Sequence, residues 1–498
     1  MRRVRSGAAP TLGEVRRILT ISLVAAAVLL PATAAQGASS LIATVRGFGH
    51  GVGLSQYGTL GYAQHGWTAD RILAHYYTGT QLGRLGNAPI VRVLLQNAHS
   101  SYSISGASSV GGQLLDRSKT YTVVRGRDGL IVRDGSKDLF TSAGPMLLRP
   151  ASGGAVTLAG PAQNGTTGGA YRGGIEVGIG VGGLTAINVL SLEDYVAGVV
   201  SAEVPASWPD QALRAQAVAA RTYAVTTNAG GSAGNFTQYA DTRSQMYRGV
   251  AAETATTGAA VRATAVRVVT YQGKPVATFF FSSSGGRTEN VENSFVGSDP
   301  KPWLKSVLDP YDTVSPYHRP QTFRWTLTRA TRSLTGLVKG RLKQIRVTKR
   351  GVSPRIVRAD VVGTAGTTAV TGPQLRRAFG LRDTWIRFRS FSTDVSKQPA
   401  PPVGGQLPSV PSIPRTTPVD PTTGGAQTAA AGLRIHGVIA PATAGAWASI
   451  ERRVGTRWER AVDVQLARGG AYATTLPGPG TYRVRYAGQT GPVVTTAR

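Results

Sequence analysis

The chain has 498 residues, 41% of them hydrophobic, and a formal net charge of +30. This length exceeds what one compact core serves, and the hydrophobic content excludes a wholly disordered chain. Because the sequence contains no cysteine, disulfides, thiolate zinc ligands and cysteine nucleophiles are excluded. The positive charge predicts anionic partners, unless it reflects only a general use of arginine, which is spread along the chain.

The N-terminus has the features of a signal peptide. A basic segment that begins at Arg2 precedes an apolar run over 18–30, and Ala32-Thr33-Ala34 forms an A-x-A cleavage pattern. The run is shorter than the roughly 20 apolar residues that a membrane span needs. Residues 1–34 are therefore predicted to be a signal peptide rather than a retained membrane anchor. The mature chain is expected to be secreted, and outside the cell the available polyanions are wall polymers and lipid head groups rather than nucleic acid.

Short strands are predicted to dominate the next part of the chain. A glycine-rich segment leads into a helix around residues 69–77, and residues 191–228 also read as helical. Alternating apolar residues between turn signals predict strands over residues 90–95, 120–124, 129–132, 155–158, 174–177 and 184–189. Further strands and a short helix near residues 374–379 are predicted after residue 261. This pattern is typical of the α+β class.

The composition changes near the C-terminus. Residues 396–431 are rich in proline, threonine and glycine, which is typical of a linker with little tendency to fold. Alternation returns in residues 432–498, which predicts a small, Ig-like β-sandwich module. The main domain is thus expected over residues 41–395.

Two predicted helices meet near Glu203. Ser191 and Ser207 are N-cap candidates for the first and second helix, and Pro205 stops the first helix from continuing. A carboxylate beside Val204, Pro205 and Trp208 should have a raised pKa, which suits a general acid.

The second helix carries two polar residues, Gln216 and Arg221, that are candidates to face the same cleft. The alternative is that Glu203 is structural and either caps the second helix or pairs with Arg214 or Arg221. The residues alone leave both interpretations open.

Several separate motifs resemble those of the SpoIID/LytB domain family. The first runs from Y-V-A-G-V-V-S-A-E-V-P-A-S-W at 195–208 into A-L-R-A-Q-A-V-A-A-R-T-Y-A at 212–224. The others are D-T-R-S-Q-M-Y-R-G at 241–249, F-F-F-S-S-S-G-G-R-T-E at 279–289, L-R-R-A-F-G-L-R-D-T-W-I-R-F at 375–388 and G-F-G-H-G-V-G-L-S-Q-Y-G at 47–58.

The resemblance implies a lytic transglycosylase of the cell wall. Glu203, in the family's E-x-P segment, would act as a single acid/base on the bond between N-acetylmuramic acid and N-acetylglucosamine. The product would carry a 1,6-anhydro end, and strands without stem peptides would be preferred. The alternatives are a non-catalytic, glycan-binding enhancer of a cell-wall amidase, and a hydrolase. No cofactor is implied.

The resemblance also implies residues that line the substrate cleft. From the glycine-rich block these are His50, Ser55, Gln56 and Tyr57, whose glycine neighbours would let a sugar chain approach the backbone. The alternative is that His50 and Gln56 only satisfy buried backbone groups. The remaining candidates are Asp241, Gln245, Tyr247, which is equally compatible with a core position, and Ser283.

The sequence departs from the family pattern in two ways. The glycine-rich block precedes Glu203 instead of following it, which indicates a circular permutation and leaves residues 83–171 as a β-rich insertion. Some members hold zinc through cysteine and histidine near the serine block, whereas this chain has Ser282, Ser283 and Ser284 there. No metal site is therefore predicted.

Overall fold

A computed structural model of the chain describes residues 38–231, 234–397 and 432–496. The predicted signal peptide and nearly all of the predicted linker lie outside the described residues. Within these ranges no helix is both long and apolar enough to cross a membrane.

The α-helices of the described ranges are short, apart from two that follow each other in the middle of the chain. Their bounds are α1 (Gln56–Gln64), α2 (Ala69–Tyr76), α3 (Leu192–Glu203), α4 (Asp210–Thr226), α5 (Ala255–Ala263), α6 (Val291–Ser294), α7 (Leu327–Ser333) and α8 (Gly372–Ala378). Turns of 3-10 helix occur at Gly249–Ala252, Pro310–Val314 and Arg468–Gly470.

Strands make up most of the remaining regular structure. The first fifteen are β1 (Ala38–Val45), β2 (Leu54–Ser55), β3 (Gln81–Arg84), β4 (Ile90–His99), β5 (Ser101–Ser105), β6 (Ser109–Val110), β7 (Gln113–Leu114), β8 (Thr120–Arg125), β9 (Leu130–Asp134), β10 (Lys137–Ser142), β11 (Met146–Arg149), β12 (Ala155–Pro161), β13 (Thr167–Arg172), β14 (Gly174–Gly180) and β15 (Gly183–Ser191). The others are β16 (Gln238–Tyr239), β17 (Arg267–Tyr271), β18 (Lys274–Pro275), β19 (Phe280–Phe281), β20 (Gln321–Thr326), β21 (Leu342–Arg350), β22 (Ile356–Gly363), β23 (Gly366–Thr371), β24 (Ile386–Lys397), β25 (Leu433–Ala440), β26 (Trp447–Val454), β27 (Arg457–Gln465), β28 (Ala471–Thr475), β29 (Thr481–Tyr486) and β30 (Gln489–Thr495). The predicted α+β class is confirmed.

The largest core lies between two sheets and the α3–α4 pair. One sheet has the order β16-β4-β15-β14-β11-β6-β7, and the other has the order β10-β9-β8-β5-β12-β13. Alternation buries one face of each strand, as in β8, where Tyr121 and Val123 point inward. The predicted insertion, residues 83–171, supplies most of these strands. Its strand β4 pairs directly with β15, so the insertion and the helices share one core.

A second core packs the glycine-rich segment against the middle of the chain. Helices α1 and α2 bury Tyr62, Ile72 and Tyr76 against α4 and the residues that follow β17. The two-residue strand β2 pairs in parallel with β19, which places the glycine-rich block beside the serine block. A third core lies under the sheet β21-β22-β23 and helices α7 and α8.

The C-terminal strands form two layers, and one layer is shared with the main domain. Strand β25 pairs antiparallel with β24, giving a sheet of order β20-β1-β24-β25-β28. The sheet β27-β26-β29-β30 packs on it, and Ile42 of β1 and Phe391 of β24 complete their common core. The predicted C-terminal sandwich thus includes strands from both sides of the linker, because the apolar face of the last strands needs β1 and β24 to cover it.

Candidate active site

Helix α3 carries Glu203 at its C-terminal end, where the residue is partly exposed. Ser191 caps the helix, its Oγ accepting the backbone N–H of Asp194, and the buried face includes Tyr195 and Val199. The helix ends at Glu203 because Pro205, two residues later, has no N–H to continue it. Ser207 does not cap α4, contrary to the prediction. The N-cap position is Pro209, and no side chain makes a capping bond there.

The Glu203 carboxylate is half-buried and held by two hydrogen bonds. The amide of Gln56 donates to Oε2 at 3.1 Å, and the backbone N–H of Met246 donates to Oε1 at 2.7 Å. Burial raises the pKa of Glu203, and these two hydrogen bonds oppose that rise only in part. The group is therefore a carboxylate that keeps its proton to higher pH than usual.

Neither arginine proposed as a structural partner of Glu203 contacts it. Arg214 pairs with Asp210 at 2.7 Å, and Arg221 pairs with Glu193 at 2.7 Å. Within the described ranges Glu203 makes no salt bridge, and no second carboxylate is among the influences on its pKa. The interpretation of Glu203 as a structural residue that pairs with Arg214 or Arg221 is therefore not supported by these contacts.

Gln56 reaches Glu203 because it opens helix α1. Ser55 is the N-cap residue of this helix, and its Oγ accepts the N–H of Gly58 at 3.2 Å. Ser55 is itself anchored, since its Oγ also lies 3.1 Å from the Asp312 carboxylate. Fixing the cap fixes the first turn, which carries Gln56 and Tyr57. The hydroxyl of Ser55 is thus used in hydrogen bonds within the protein, and Ser55 contributes to the site by positioning Gln56 and Tyr57.

Asp312 is fully buried and joins the glycine-rich block to the serine block. His318 lies 3.2 Å from its Oδ2. Its other hydrogen-bond donors are Ser55 Oγ, Ser283 Oγ at 2.9 Å, and the backbone N–H groups of Ser284 at 3.0 Å and Gly285 at 2.9 Å. Ser283, a predicted substrate contact, is therefore placed in this Asp312 cluster.

The Asp312 cluster does not suit zinc. Structural zinc takes cysteine sulfur and histidine nitrogen, but the chain has no cysteine and the serine hydroxyls donate to an aspartate. The backbone N–H groups on the same carboxylate are donors as well, which a cation would repel. The reaction proposed for Glu203 therefore uses no metal at this cluster.

A group of aromatic rings includes Tyr57, the residue after Gln56. Tyr57 lies 5.5 Å from Trp208 and 6.2 Å from Tyr317, measured between ring centroids, and all three are partly exposed. Tyr223 of α4 is close enough to Glu203 for the carboxylate charge to act on its phenol. Burial raises its pKa, and the Glu203 charge adds to the rise, so its phenol stays protonated beside the carboxylate. Partly exposed rings next to a carboxylate are typical of sites that stack sugars.

Two predicted cleft residues instead serve the packing around Glu203. Tyr247 is buried, its hydroxyl donates to Asn188 at 2.6 Å, and its ring stacks on Tyr195. Gly198 of α3 makes room for this ring, because a Cβ there would lie 2.5 Å from it. Gln245 is also buried and donates to the Tyr195 hydroxyl at 3.2 Å.

Arg221 and Asp241 are both engaged in ion pairs. Arg221 is 0% exposed, and its guanidinium binds both oxygens of Glu193, tying α4 to the first turn of α3. The structure therefore places Arg221 in the core and not in the cleft. Asp241 binds Arg243 and accepts its backbone N–H at 3.0 Å, which shapes the loop that presents Met246 to Glu203.

His50 and Gln216 have different environments from those expected of hydrogen-bonding sugar contacts. The His50 ring accepts the N–H of Val52 and packs among Phe279, Phe281 and Phe295. Burial, and then the charge of Arg376, lowers the pKa of His50 to about 3, so the ring is neutral. Gln216 is 1% exposed, and its amide has no hydrogen-bond partner among the described residues.

The glycines of the first block make room for protein rather than for a ligand. Gly47 and Gly51 have positive φ angles, and a Cβ would lie 2.7 Å from Asp383 and 2.5 Å from Arg355, respectively. Arg355 and Asp383 form a fully buried, bidentate ion pair with both contacts at 2.9 Å. Gly47 and Gly51 therefore make room for this ion pair and not, as expected, for a sugar chain.

The main residues missed from the sequence are Met246, Tyr223 and Asp312. Met246 acts through its backbone N–H, which no side-chain pattern reveals. Tyr223 lies in a motif that resembles the family, two residues after Arg221, but no local pattern places it beside Glu203. Asp312 carries no local motif, so only the fold reveals it.

Residues 181–271 match the family model SpoIID, described as a stage II sporulation protein. They run from β15 to β17 and include Glu203, Tyr223 and Met246. This part of the chain resembles the SpoIID family. The chain is similar to stage II sporulation protein D of Bacillus subtilis, with 36% identity over 154 residues, which cover 28% of this chain and 44% of that relative.

Two other relatives agree with this family. Stage II sporulation protein D of Bacillus amyloliquefaciens is 34% identical over 154 residues, covering 28% of this chain and 44% of the relative. The amidase enhancer of Bacillus subtilis is 35% identical over 137 residues, covering 28% of this chain and 17% of the relative. The match to the SpoIID domain therefore spans less than half the length of each of these curated relatives.

Asp309 makes the stability of this region depend on pH. Its Oδ1 accepts the Tyr76 hydroxyl at 3.0 Å, and burial together with the Asp312 charge raises its pKa to about 7. A raised folded-state pKa favours the protonated form, so the stabilising contribution is complete at acid pH and lost as pH rises toward 7. Asp309→Asn is expected to raise the melting temperature at pH 8 and to leave it nearly unchanged at pH 4. A destabilised variant at pH 8 in thermal unfolding would contradict this assignment.

Proposed function

We propose that this chain is a lytic transglycosylase that cleaves peptidoglycan glycan strands between N-acetylmuramic acid and N-acetylglucosamine. The names of its relatives, a sporulation protein and an amidase enhancer, support a role at the cell wall. The finer proposal rests on Glu203, a half-buried carboxylate with a raised pKa and no ion-pair partner among the described residues.

One carboxylate is sufficient for this reaction. Glu203 gives its proton to the glycosidic oxygen while the bond from that oxygen to C1 of the muramic acid breaks. The resulting carboxylate then takes the proton of the muramic 6-hydroxyl as O6 bonds to C1. The products are a free hydroxyl on the departing sugar and a 1,6-anhydro ring, and Glu203 is protonated again. Ordinary glycosidases need a second carboxylate because water or an enzyme carboxylate attacks C1 instead.

The two groups that hold Glu203 suit both protonation states. The Met246 N–H is a fixed donor to Oε1, so the proton belongs on Oε2, the oxygen that faces Gln56. The Gln56 amide donates to the ionised carboxylate, and after rotation its carbonyl accepts from the protonated acid. Each proton transfer can thus proceed without leaving either oxygen unpaired.

The rings beside Glu203 supply surfaces for the sugars. Tyr57, Trp208 and Tyr317 form a group of partly exposed rings, and Tyr57 directly follows Gln56, which holds the carboxylate. Stacked rings bind the apolar faces of pyranose sugars and leave their hydroxyls to polar groups. We therefore infer that the glycan strand passes over these rings, and that the secreted chain acts in the cell wall.

A non-catalytic enhancer of a wall amidase is the second candidate. The relative named amidase enhancer favours it, and such a protein would use the same rings to hold glycan. Incubating the mature chain with purified glycan strands, with and without stem peptides, and identifying the soluble ends by mass spectrometry separates the possibilities. We expect 1,6-anhydro ends. Reducing ends would indicate a hydrolase, and intact strands with retained binding would indicate the enhancer.

Cleavage is expected to fall as pH rises through the raised pKa of Glu203, because the first step needs the protonated acid. Gln56→Met removes a hydrogen bond that favours the carboxylate, so the alkaline limb of the pH–rate profile should move to higher pH. The measurement is the rate of release of anhydro ends over a pH series for both proteins. A limb that stays in place, or moves to lower pH, would contradict the role given to Gln56.

A further inference from the structure

A second site, distant in sequence from Glu203, lies between β1, β20, α7 and the loop before β21. It is a cleft of about 1050 Å³ whose lining includes Arg324, Arg329, Arg332 and Arg341 and, within the described ranges, no aspartate or glutamate. We call it the arginine cleft. None of its lining residues belongs to the group around Glu203 described above.

The guanidinium groups of the arginine cleft are available to a ligand. Arg329, Arg332 and Arg341 are exposed, and their side chains make no hydrogen bond or salt bridge within the part of the chain that the structure describes. Arg324 contacts only Thr490 in its side-chain hydrogen bonds. Burial, and then the charge of Arg483, lowers its pKa, so a further cation adds to the local positive potential.

A buried hydroxyl in the same cleft also lacks a partner. Ser40 lines the cleft, is 4% exposed, and its Oγ has no hydrogen-bond partner among the described residues. A buried polar atom left unpaired costs free energy, and turning the Ser40 side chain toward a bound acceptor would recover it. Ser39 and Thr328 place further hydroxyls along the lining.

We propose that the arginine cleft binds a phosphodiester polymer of the cell wall. Arginine forks match the paired oxygens of phosphate, and neutral hydroxyls such as that of Ser40 can donate to the same groups. Four arginines in one cleft are best matched by a ligand whose negative charges are closely spaced. A glycan strand carries at most one carboxylate per disaccharide, whereas a polyol phosphate carries one charge in every short repeat. The choice of a wall polymer rests on the proposed location in the wall, but not on glycan cleavage.

Two triple variants of the mature chain test this proposal. The first, Arg329→Gln, Arg332→Gln and Arg341→Gln, removes three guanidinium groups of the cleft. The control, Arg434→Gln, Arg457→Gln and Arg468→Gln, removes three exposed arginines from the C-terminal region, two in strands and one in a 3-10 turn, and changes the net charge equally. Binding to poly(glycerol phosphate) and to polygalacturonate is measured by titration calorimetry at two salt concentrations.

The cleft variant is expected to bind poly(glycerol phosphate) at least about tenfold more weakly than the wild type, since each exposed ionic contact contributes roughly two- to fivefold. The control should bind like the wild type, and all three proteins should cleave glycan equally. Equal weakening in both variants, or no binding by the wild type, would overturn the proposal. Equally tight, cleft-dependent binding of polygalacturonate would overturn the preference for phosphate. If none of the three proteins cleaves glycan, the proposed function is refuted, but the polymer-binding measurements still test the arginine cleft.

Discussion

Replacing Glu203 with glutamine is expected to abolish the release of anhydro ends. Glutamine preserves the shape of the side chain and can still accept the Met246 N–H, but it can neither donate a proton to the glycosidic oxygen nor take one from the 6-hydroxyl. Because one residue serves both steps, we expect the rate to fall by about a thousandfold or more. The measurement is the rate of release of anhydro ends from peptide-free strands.

The matched control for this variant is Glu459→Gln. Glu459 is an exposed residue of β27 in the C-terminal layer, so the same chemical change there should leave the rate unchanged. Glycan binding by Glu203→Gln should remain close to that of the wild type, since the rings of Tyr57, Trp208 and Tyr317 are untouched. Anhydro ends released by Glu203→Gln at the rate of the wild type would remove Glu203 from the reaction.

Replacing Arg355 with alanine is expected to cost about 3 to 5 kcal/mol of folding free energy. The guanidinium is buried, pairs with Asp383 and donates to the backbone oxygens of Ser284 and Arg287. Without it, Asp383 is a buried charge that has lost its hydrogen-bonded counter-ion and keeps the weaker influence of the Arg376 charge. The measurement is chemical denaturation of the mature chain, and glycan cleavage should be lost together with the fold around the glycine-rich block.

The pH dependence separates this explanation from a simple packing defect. Burial already raises the pKa of Asp383 against the opposing charge of Arg355, and loss of that charge raises it further. A raised folded-state pKa means that stability falls as pH rises, so Arg355→Ala should be less impaired at acid pH than at pH 8. The double variant Arg355→Met, Asp383→Leu removes both charges and should recover most of the loss. A loss that is equal at all pH values, and unchanged in the double variant, would indicate that packing alone matters.

Local features of the chain were predictable because their causes act over a few residues. Ser191 caps α3 and Pro205 prevents its continuation, as short-range hydrogen bonding and backbone chemistry require. The predicted strands near 90–95, 120–124 and 184–189 correspond to β4, β8 and β15, since alternation with a period of two needs only one buried face. The raised pKa of Glu203 was expected from its apolar neighbours in sequence, and in the structure burial is its largest cause.

Errors arose where a residue type has several possible partners. Arg221 was expected at the cleft, but the nearer first turn of α3 offers it Glu193, and a buried guanidinium requires such a carboxylate. Ser207 is a residue type that often caps helices, yet α4 begins three residues later, at Asp210, with Pro209 at the N-cap position. The glycines at 47 and 51 suggest close approach of some kind, but sequence cannot tell a sugar from the Arg355–Asp383 pair.

The sequence by itself determined helices α2, α3, α4 and α8, part of the strands, the motifs that resemble the SpoIID family and the carboxylate at the end of α3, whereas α1, α5, α6 and α7 were not predicted. Only the tertiary structure decided what holds that carboxylate. Gln56 lies 147 residues from Glu203, and Met246 contributes a backbone N–H after a loop that Asp241 shapes. Such contacts depend on which strands and helices pack together, as with β2 beside β19, and on the burial of Asp312, because hydrogen bonds between distant segments form only when the hydrophobic cores bring those segments together.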